Sequence, residues 1–337
     1  MKGSEFLQQM ANVDGPARDQ AALKAMLAGN TPSFMESLVE CRTGAVIDGL
    51  FYECVYRVRP GYLAIGTDED FVTWPLTEPS LQAYYDAGGN HWYIPPGKLV
   101  FETWRQSAVK IPTLAVRRPG AAGSHPGTGT WTIDAMQKQV NAALAKLGAP
   151  LTAFVRAKKA YSARPGLDGA KLCFSGWFSP GPPLQPNPYG WSWQGLDDMP
   201  HEAAFTDYSH GCDGVYYAVQ VNGQQMDFAD VCQDPKLHVL VSARGPFNPH
   251  FPNSGSGAPK PKAPTVVAVA GAPVPNGFQG PIFKTNAAGG LDVVRADNIP
   301  TQAASNRGGS ALGVIAIGAA VSFVAGLALK RLAFHPT

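Results

Sequence analysis

The run ALGVIAIGAAVSFVAGLAL, residues 311–329, carries no charge and is followed at once by Lys330 and Arg331. As a helix rising ~1.5 Å per residue it would span roughly 28 Å, about the thickness of a bilayer's hydrocarbon core. A chain with such a segment must either bury it among other elements or give it to lipid. The run has no polar face, and a long linker-like stretch precedes it, so the expectation is a transmembrane or membrane-inserting helix over 308–333. Its partner would be a lipid bilayer, met through 311–329. Gly309 and Gly313 form a GxxxG at its start, a spacing that suits close helix contact. The Lys330-Arg331 pair favours a cytoplasmic C-terminus, and Arg307 on the other side opposes it.

Residues 253–307 are rich in Pro, Ala, Gly and Ser, including GAPKPKAPTVVAVAGAPVP, and are expected to form an extended, flexible tether. Thirty prolines and thirty-seven glycines in 337 residues exceed average usage, and their clustering marks linker. The chain is 45% hydrophobic overall, enough for a core. Lys2 has no apolar stretch behind it, so no secretory signal is expected at the N-terminus. The net charge is +2, with 15% charged residues and no basic run, which excludes nucleic acid as a partner. Cys41, Cys54, Cys173, Cys212 and Cys232 form no CxxC pair, so zinc-ribbon and thioredoxin readings lack their motif.

Local patterns give an α+β fold, with a mixed helical N-terminal part and a β-rich second half in one globular body over 31–252. Helices are expected at 4–11 and 18–28, broken by Gly15-Pro16 and stopped by Gly29, within an N-terminal segment 1–30. Leu50–Val58 and 62–66 read as two strands around Arg59-Pro60-Gly61. Helices follow at Glu78–Ala87 and 96–108. The strongest spans 132–147, with Thr132 as N-cap, Ile133, Met136, Val140, Leu144 and Leu147 on one face, and Gly148 as stop. Strands are expected at 153–155, 170–177, 214–221 and 238–242, with Asn222-Gly223 as a hairpin turn.

The polar residues that could carry chemistry gather between Trp177 and Cys212, and they end in DYSHGCDGV at 207–215. His201, Asp207, Ser209, His210 and Cys212 are the candidate site. One reading is structural: Asp207 and Ser209 bond local backbone, Tyr208 packs, and His210 is a satisfied core histidine. Cys212 is then a small buried hydrophobe or half of a pair with Cys232. A metal reading would use His201, Asp207, His210 and Cys212, but their spacing fits no zinc pattern; no metal and no cofactor is expected. Asp68-Glu69-Asp70 reads as a solvated turn. Tyr189, Trp191 and Trp193 read as a cap on the core, with stacking on sugar or peptide as the alternative.

The stretches GNTPSFMESLV, GYLAIGTDEDFVTWPLT, HEAAFTDYSHG and VNGQQMDFADVCQDPKL resemble, in that order, a family of uncharacterised bacterial proteins with a DYSHG signature. The resemblance covers roughly residues 25–245. This chain departs from that pattern at Cys212, where the family has an aliphatic residue. Phe178 and Ala157 stand where the family has histidines. The four residues SHGC are also similar to the active-site motif of L,D-transpeptidases. That resemblance implies Cys212 as nucleophile, His201 as base, Ser209 and His210 as pocket residues, and backbone amides near Gly211 as oxyanion donors. The interval from His201 to Cys212 is shorter than in those enzymes, and Asp213-Gly214 follows where they have an apolar residue.

Two functions follow as expectations. The first is a membrane-tethered structural or binding component of a larger assembly, such as a phage or injection-system particle. The alternative is a cell-wall-directed cysteine amidohydrolase or transpeptidase acting on peptidoglycan through Cys212 and His201.

Overall fold

Asp48 and Gly49 have φ of 51° and 80°, the left-handed pair that a two-residue hairpin turn requires. They join β1 (Val39–Ile47) to β2 (Leu50–Val58), which pair antiparallel along their whole length from Val39↔Val58 to Ile47↔Leu50. The computed structural model describes residues 1–87, 91–111, 116, 129–163, 171–176, 179–180, 191–192, 201–202, 204–249 and 269–295. The labelled strands that follow β2 are β3 (Lys159–Ser162), β4 (Lys171–Ser175), β5 (His201–Glu202) and β6 (His210–Gly211). After them come β7 (Ala218–Val221), β8 (Gln224–Asp227), β9 (Ile282–Thr285) and β10 (Leu291–Arg295). The helices are α1 (Gly3–Gln9), α2 (Gly15–Leu27), α3 (Glu78–Ala87), α4 (Gly97–Gln106), α5 (Thr130–Lys146) and α6 (Phe228–Gln233).

Helices and mixed sheets together make the α+β body that the sequence predicts. The main sheet runs β8-β7-β2-β1-β9-β10, with the short strands Trp92–Tyr93 and Val215–Tyr216 attached beside β2. Asn222 and Gly223, at φ 48° and 80°, form the predicted β7–β8 turn. The Asn222 side chain ties that turn to β2, accepting from the Glu53 N–H at 2.8 Å. Burial alternates along β1: Cys41, Thr43 and Ala45 face inward while Glu40 and Arg42 face water, as a sheet with one covered face requires. The covered face packs on Leu99 of α4, Phe228 and Val231 of α6, and Leu237, Val239 and Leu240.

A second core gathers Phe6, Ala22, Met26, Leu81, Ile133, Met136, Val140 and Leu144 from α1, α2, α3 and α5, together with Trp74. Tyr161, Phe174, Tyr208 and Cys212 belong to the same core. This places the DYSHG segment inside it. The smaller sheet β5-β4-β3-β6 carries that segment.

Several expectations are corrected. The helix predicted at 18–28 starts at Gly15 and runs through Pro16, because proline is welcome in a first turn and Asp14 caps it by accepting from Ala17 N–H. The strongest helix starts at Thr130 with Gly129 as N-cap, and Thr132 instead donates its hydroxyl to the Gly129 carbonyl at 2.6 Å. Leu50–Val58 does not pair with 62–66; Ala64–Gly66 pairs with Phe71–Thr73. Residues 238–242, read as a strand, contain part of the 3-10 turn Leu237–Leu240. Asp234 winds that turn by accepting from the Lys236 and Leu237 N–H groups.

The tether expected over 253–307 is corrected over part of its length. Residues 282–295 form the β9–β10 hairpin, and β9 lies parallel to β1 with Val46↔Ile282 and Ile47↔Phe283. Asp48 locks the join, its carboxylate accepting from Thr285 N–H at 2.7 Å and from the Thr285 hydroxyl. The membrane helix expected at 308–333 lies outside the described residues; among those described, no helix is long and apolar enough to cross a membrane.

Candidate functional site

Strand β6 lies at one edge of the small sheet, parallel to β3, with His210↔Lys159 and Gly211↔Ala160. The turn leading into it is built by Asp207. One carboxylate oxygen accepts from the Ser209 N–H at 2.7 Å and from the Ser209 hydroxyl at 2.5 Å. The Asp207 N–H donates to His210 Nδ1 at 3.0 Å. An Nδ1 that accepts a backbone N–H is unprotonated, so the ring carries its proton on Nε2. That nitrogen lies 3.5 Å from the second Asp207 oxygen.

The cluster is closed off from water: Asp207, Ser209 and His210 are each 1% exposed or less. Phe174 of β4 lies flat on the His210 ring at a centroid distance of 3.7 Å, and Tyr161 of β3 meets it edge-on at 5.6 Å. Lys159, buried in the wall, brings its ammonium within 3.8 Å of Asp207. Burial pushes the Asp207 carboxyl up, but His210 beside it, the charge of Lys159 and the Ser209 hydrogen bonds outweigh it and hold the group below its ordinary value. Burial drives Lys159 down, with Asp207 working against it.

The order of contacts decides what this cluster can do. In a nucleophilic triad the serine hydroxyl gives its hydrogen to the histidine, and the carboxylate holds the histidine's other nitrogen. Here Ser209 gives its hydrogen to Asp207, and His210 Nδ1 is occupied by backbone. Ser209 is therefore a turn brace.

Cys212 follows β6 into the core at 1% exposure. Its Sγ accepts from the Leu76 N–H at 3.3 Å, and burial pushes the thiol up to about 12. It is free, as is Cys232, so the expected alternative of a bond between them is not made; the two lie in different cores. Cys41 and Cys54 are also free and buried. The backbone of His201 belongs to β5, at the opposite edge from β6, with β4 and β3 between. Three strand spacings of about 4.8 Å put these edges roughly 14 Å apart. The Cys212–His201 dyad is thus not assembled along the sheet, and a buried thiol with this pKa is a poor nucleophile at neutral pH.

Next to Cys212, Asp213 forms a buried ion pair with Arg156 at 3.1 Å. Arg156 also donates to the Arg59 and Pro60 carbonyls, and Tyr85 donates its hydroxyl to the Asp213 carbonyl at 2.7 Å. Gly211 is required where it stands, since a Cβ there would overlap the Tyr62 ring. That ring cannot move aside: its hydroxyl accepts from the Ala157 and Lys158 N–H groups.

No protein-family model, curated protein or solved structure matches this chain.

Of the predicted residues, the structure brings Asp207, Ser209 and His210 into one cluster, sets Cys212 beside it in the core, and carries His201 to the far edge. Sequence reasoning missed Lys159, Tyr161 and Phe174 as walls of the cluster. The signal for Lys159 was the Lys158-Lys159 pair set between two alanines. At the expected solvated turn Asp68-Glu69-Asp70, Glu69 is exposed while Asp68 and Asp70 are half-buried, and the two aspartates tie down the N-terminal part of the chain. Asp70 accepts from Ser4 N–H and hydroxyl, and Asp68 from Ser33 N–H and hydroxyl. Phe178, Tyr189 and Trp193 lie outside the described residues, and of Trp191 only its place in a short strand is described.

Proposed function

We propose that this chain is a membrane-tethered structural or binding component of a larger assembly, of the kind found in a phage or injection-system particle. The observation that carries the reading is the internal use of the DYSHG polar groups. Asp207, Ser209 and His210 brace one another at the edge of a small sheet, and none presents itself to solvent. A segment that uses its reactive side chains as turn braces serves shape before chemistry. The second support is the uncharged run 311–329, whose length suits a bilayer.

Fractionation of cells expressing the full chain, beside a version lacking 308–337, tests this. The full chain is expected with membranes or purified particles, and the shortened one in the soluble fraction. A full chain already soluble on its own would remove the membrane part of the reading. Peptidoglycan turnover lost in Cys212→Ala would replace the structural role with an enzymatic one.

A further inference from the structure

Arg59, in the turn that follows β2, is 5% exposed, yet among the described residues it pairs with no carboxylate. Its Nε donates to the Met35 carbonyl at 3.1 Å, while Nη1 is buried without a hydrogen-bond partner. The nearby carboxylate, Asp213, is taken up by Arg156 at 3.1 Å. Two guanidinium groups and one carboxylate leave this corner with an excess positive charge, and arginine cannot shed its proton to relieve it. A buried cation that must share one carboxylate with a second arginine is costly, and stacking offsets only part of the cost. The stack is close: the guanidinium carbon lies 3.4 Å from the centre of a Trp92 ring.

Arg59 is one of the residues that line an open groove of about 960 Å³. Its walls include Trp92, Tyr84, Tyr216 and Leu38, with Glu36 exposed on the same lining. Trp92 and Tyr216 meet edge-to-face at 5.5 Å, which presents a fixed aromatic wall. We propose that this groove is a binding site for a small ligand carrying a carboxylate beside a flat ring. Arg59 anchors the carboxylate and the aromatic wall takes the ring. Guanidinium geometry matches a carboxylate with two parallel hydrogen bonds. Glu36 repels any anion in the groove, and a dianion such as a phosphate monoester about twice as strongly as a carboxylate, which favours the monoanion. The site is independent of the DYSHG cluster and of the membrane segment, and it stands or falls without them.

The test titrates the full chain in detergent with benzoate, benzyl alcohol and phenyl phosphate at pH 8, followed by calorimetry and by the tryptophan indole N–H signals. Benzoate is expected to bind saturably and shift the Trp92 indole, at least tenfold more tightly than either of the others. Arg59→Lys should weaken benzoate at least tenfold. Because Arg59 is buried and its replacement can unfold the chain, Tyr216→Ala and Leu38→Ala provide the second arm. Each should weaken benzoate several-fold without moving the melting temperature. Equal binding of benzoate and benzyl alcohol would overturn the arginine anchor. Phenyl phosphate binding as tightly as benzoate would overturn the carboxylate assignment, and unchanged affinity in Tyr216→Ala would overturn the groove itself.

Discussion

The Leu76 N–H points at the sulfur of Cys212 from 3.3 Å, and this contact defines what kind of cysteine Cys212 is. A backbone donor favours the thiolate, but burial dominates, and the thiol is pushed up to about 12. At pH 8 roughly one molecule in ten thousand would then carry the thiolate. Native protein treated with iodoacetamide at pH 8 is expected to leave Cys212 unmodified, as read by peptide mass spectrometry. Denaturant should make it react fully. Rapid labelling of Cys212 in the native state would show that the core opens there.

Asp207 makes stability depend on acid. Burial raises its carboxyl, yet His210, Lys159 and Ser209 together hold it below the ordinary aspartate value. A depressed folded-state pKa contributes stability that is present above the unfolded value, about 4, and is lost as pH falls through the lower folded value. Asp207→Asn should cost about 3–5 kcal/mol at pH 7, because Lys159 is left buried without its charge partner. It should also flatten the loss of stability as pH falls below about 4. Urea denaturation across that range reads both effects; equal slopes in the two proteins would place the acid sensitivity elsewhere.

Glu78 has the opposite sign. It opens α3 at 1% exposure, its Oε1 lacks a hydrogen-bond partner, and burial with help from Asp86 raises its carboxyl to about 7. The folded chain therefore holds a proton that the unfolded chain releases near pH 4.5. Stability from this group is complete below that value and is lost as pH rises to about 7. Glu78→Gln should match the parent near pH 4 and exceed it at pH 8 by on the order of 3 kcal/mol. Thermal melts at the two pH values decide it, and a variant less stable at both would mean the carboxylate has a partner worth keeping.

Much of this fold was legible because its signals are local. Glu78–Ala87 has Pro79 in its first turn and a Gly-Gly stop, and Leu50–Val58 is aromatic and β-branched; both appear with the expected bounds. The Asn222-Gly223 turn needs positive φ, and the residues that tolerate it announce it. β1 was overlooked although Asp48-Gly49 is the same kind of signal, because CRTGA in its middle lacks bulky apolar residues. Residues 238–242 failed for another reason: a short apolar run fits a strand or a turn, and Asp234 decided between them.

The candidate site was legible in its members but not in its roles. Asp207, Ser209 and His210 were singled out from their chemistry, and they do meet. Which atom donates to which depends on Phe174, Tyr161 and Lys159, which strand pairing brings from other parts of the chain. Burial of Cys212 likewise depends on Leu76, 136 positions away, which no local pattern reveals.

The docking of β9 on β1 has a consequence for how the molecule is made. Asp48 and Thr285 are 237 positions apart, so this contact closes after nearly everything between them has been synthesised. Until then the Val46–Ile47 end of β1 keeps its outer backbone groups without their β9 partners while its hairpin partner β2 is already in place. An open strand edge is a template for any passing extended chain. Late closure of long-range pairs also slows folding. The nascent protein thus emerges with an adhesive end to β1, and the β9–β10 hairpin is the cover that arrives to seal it.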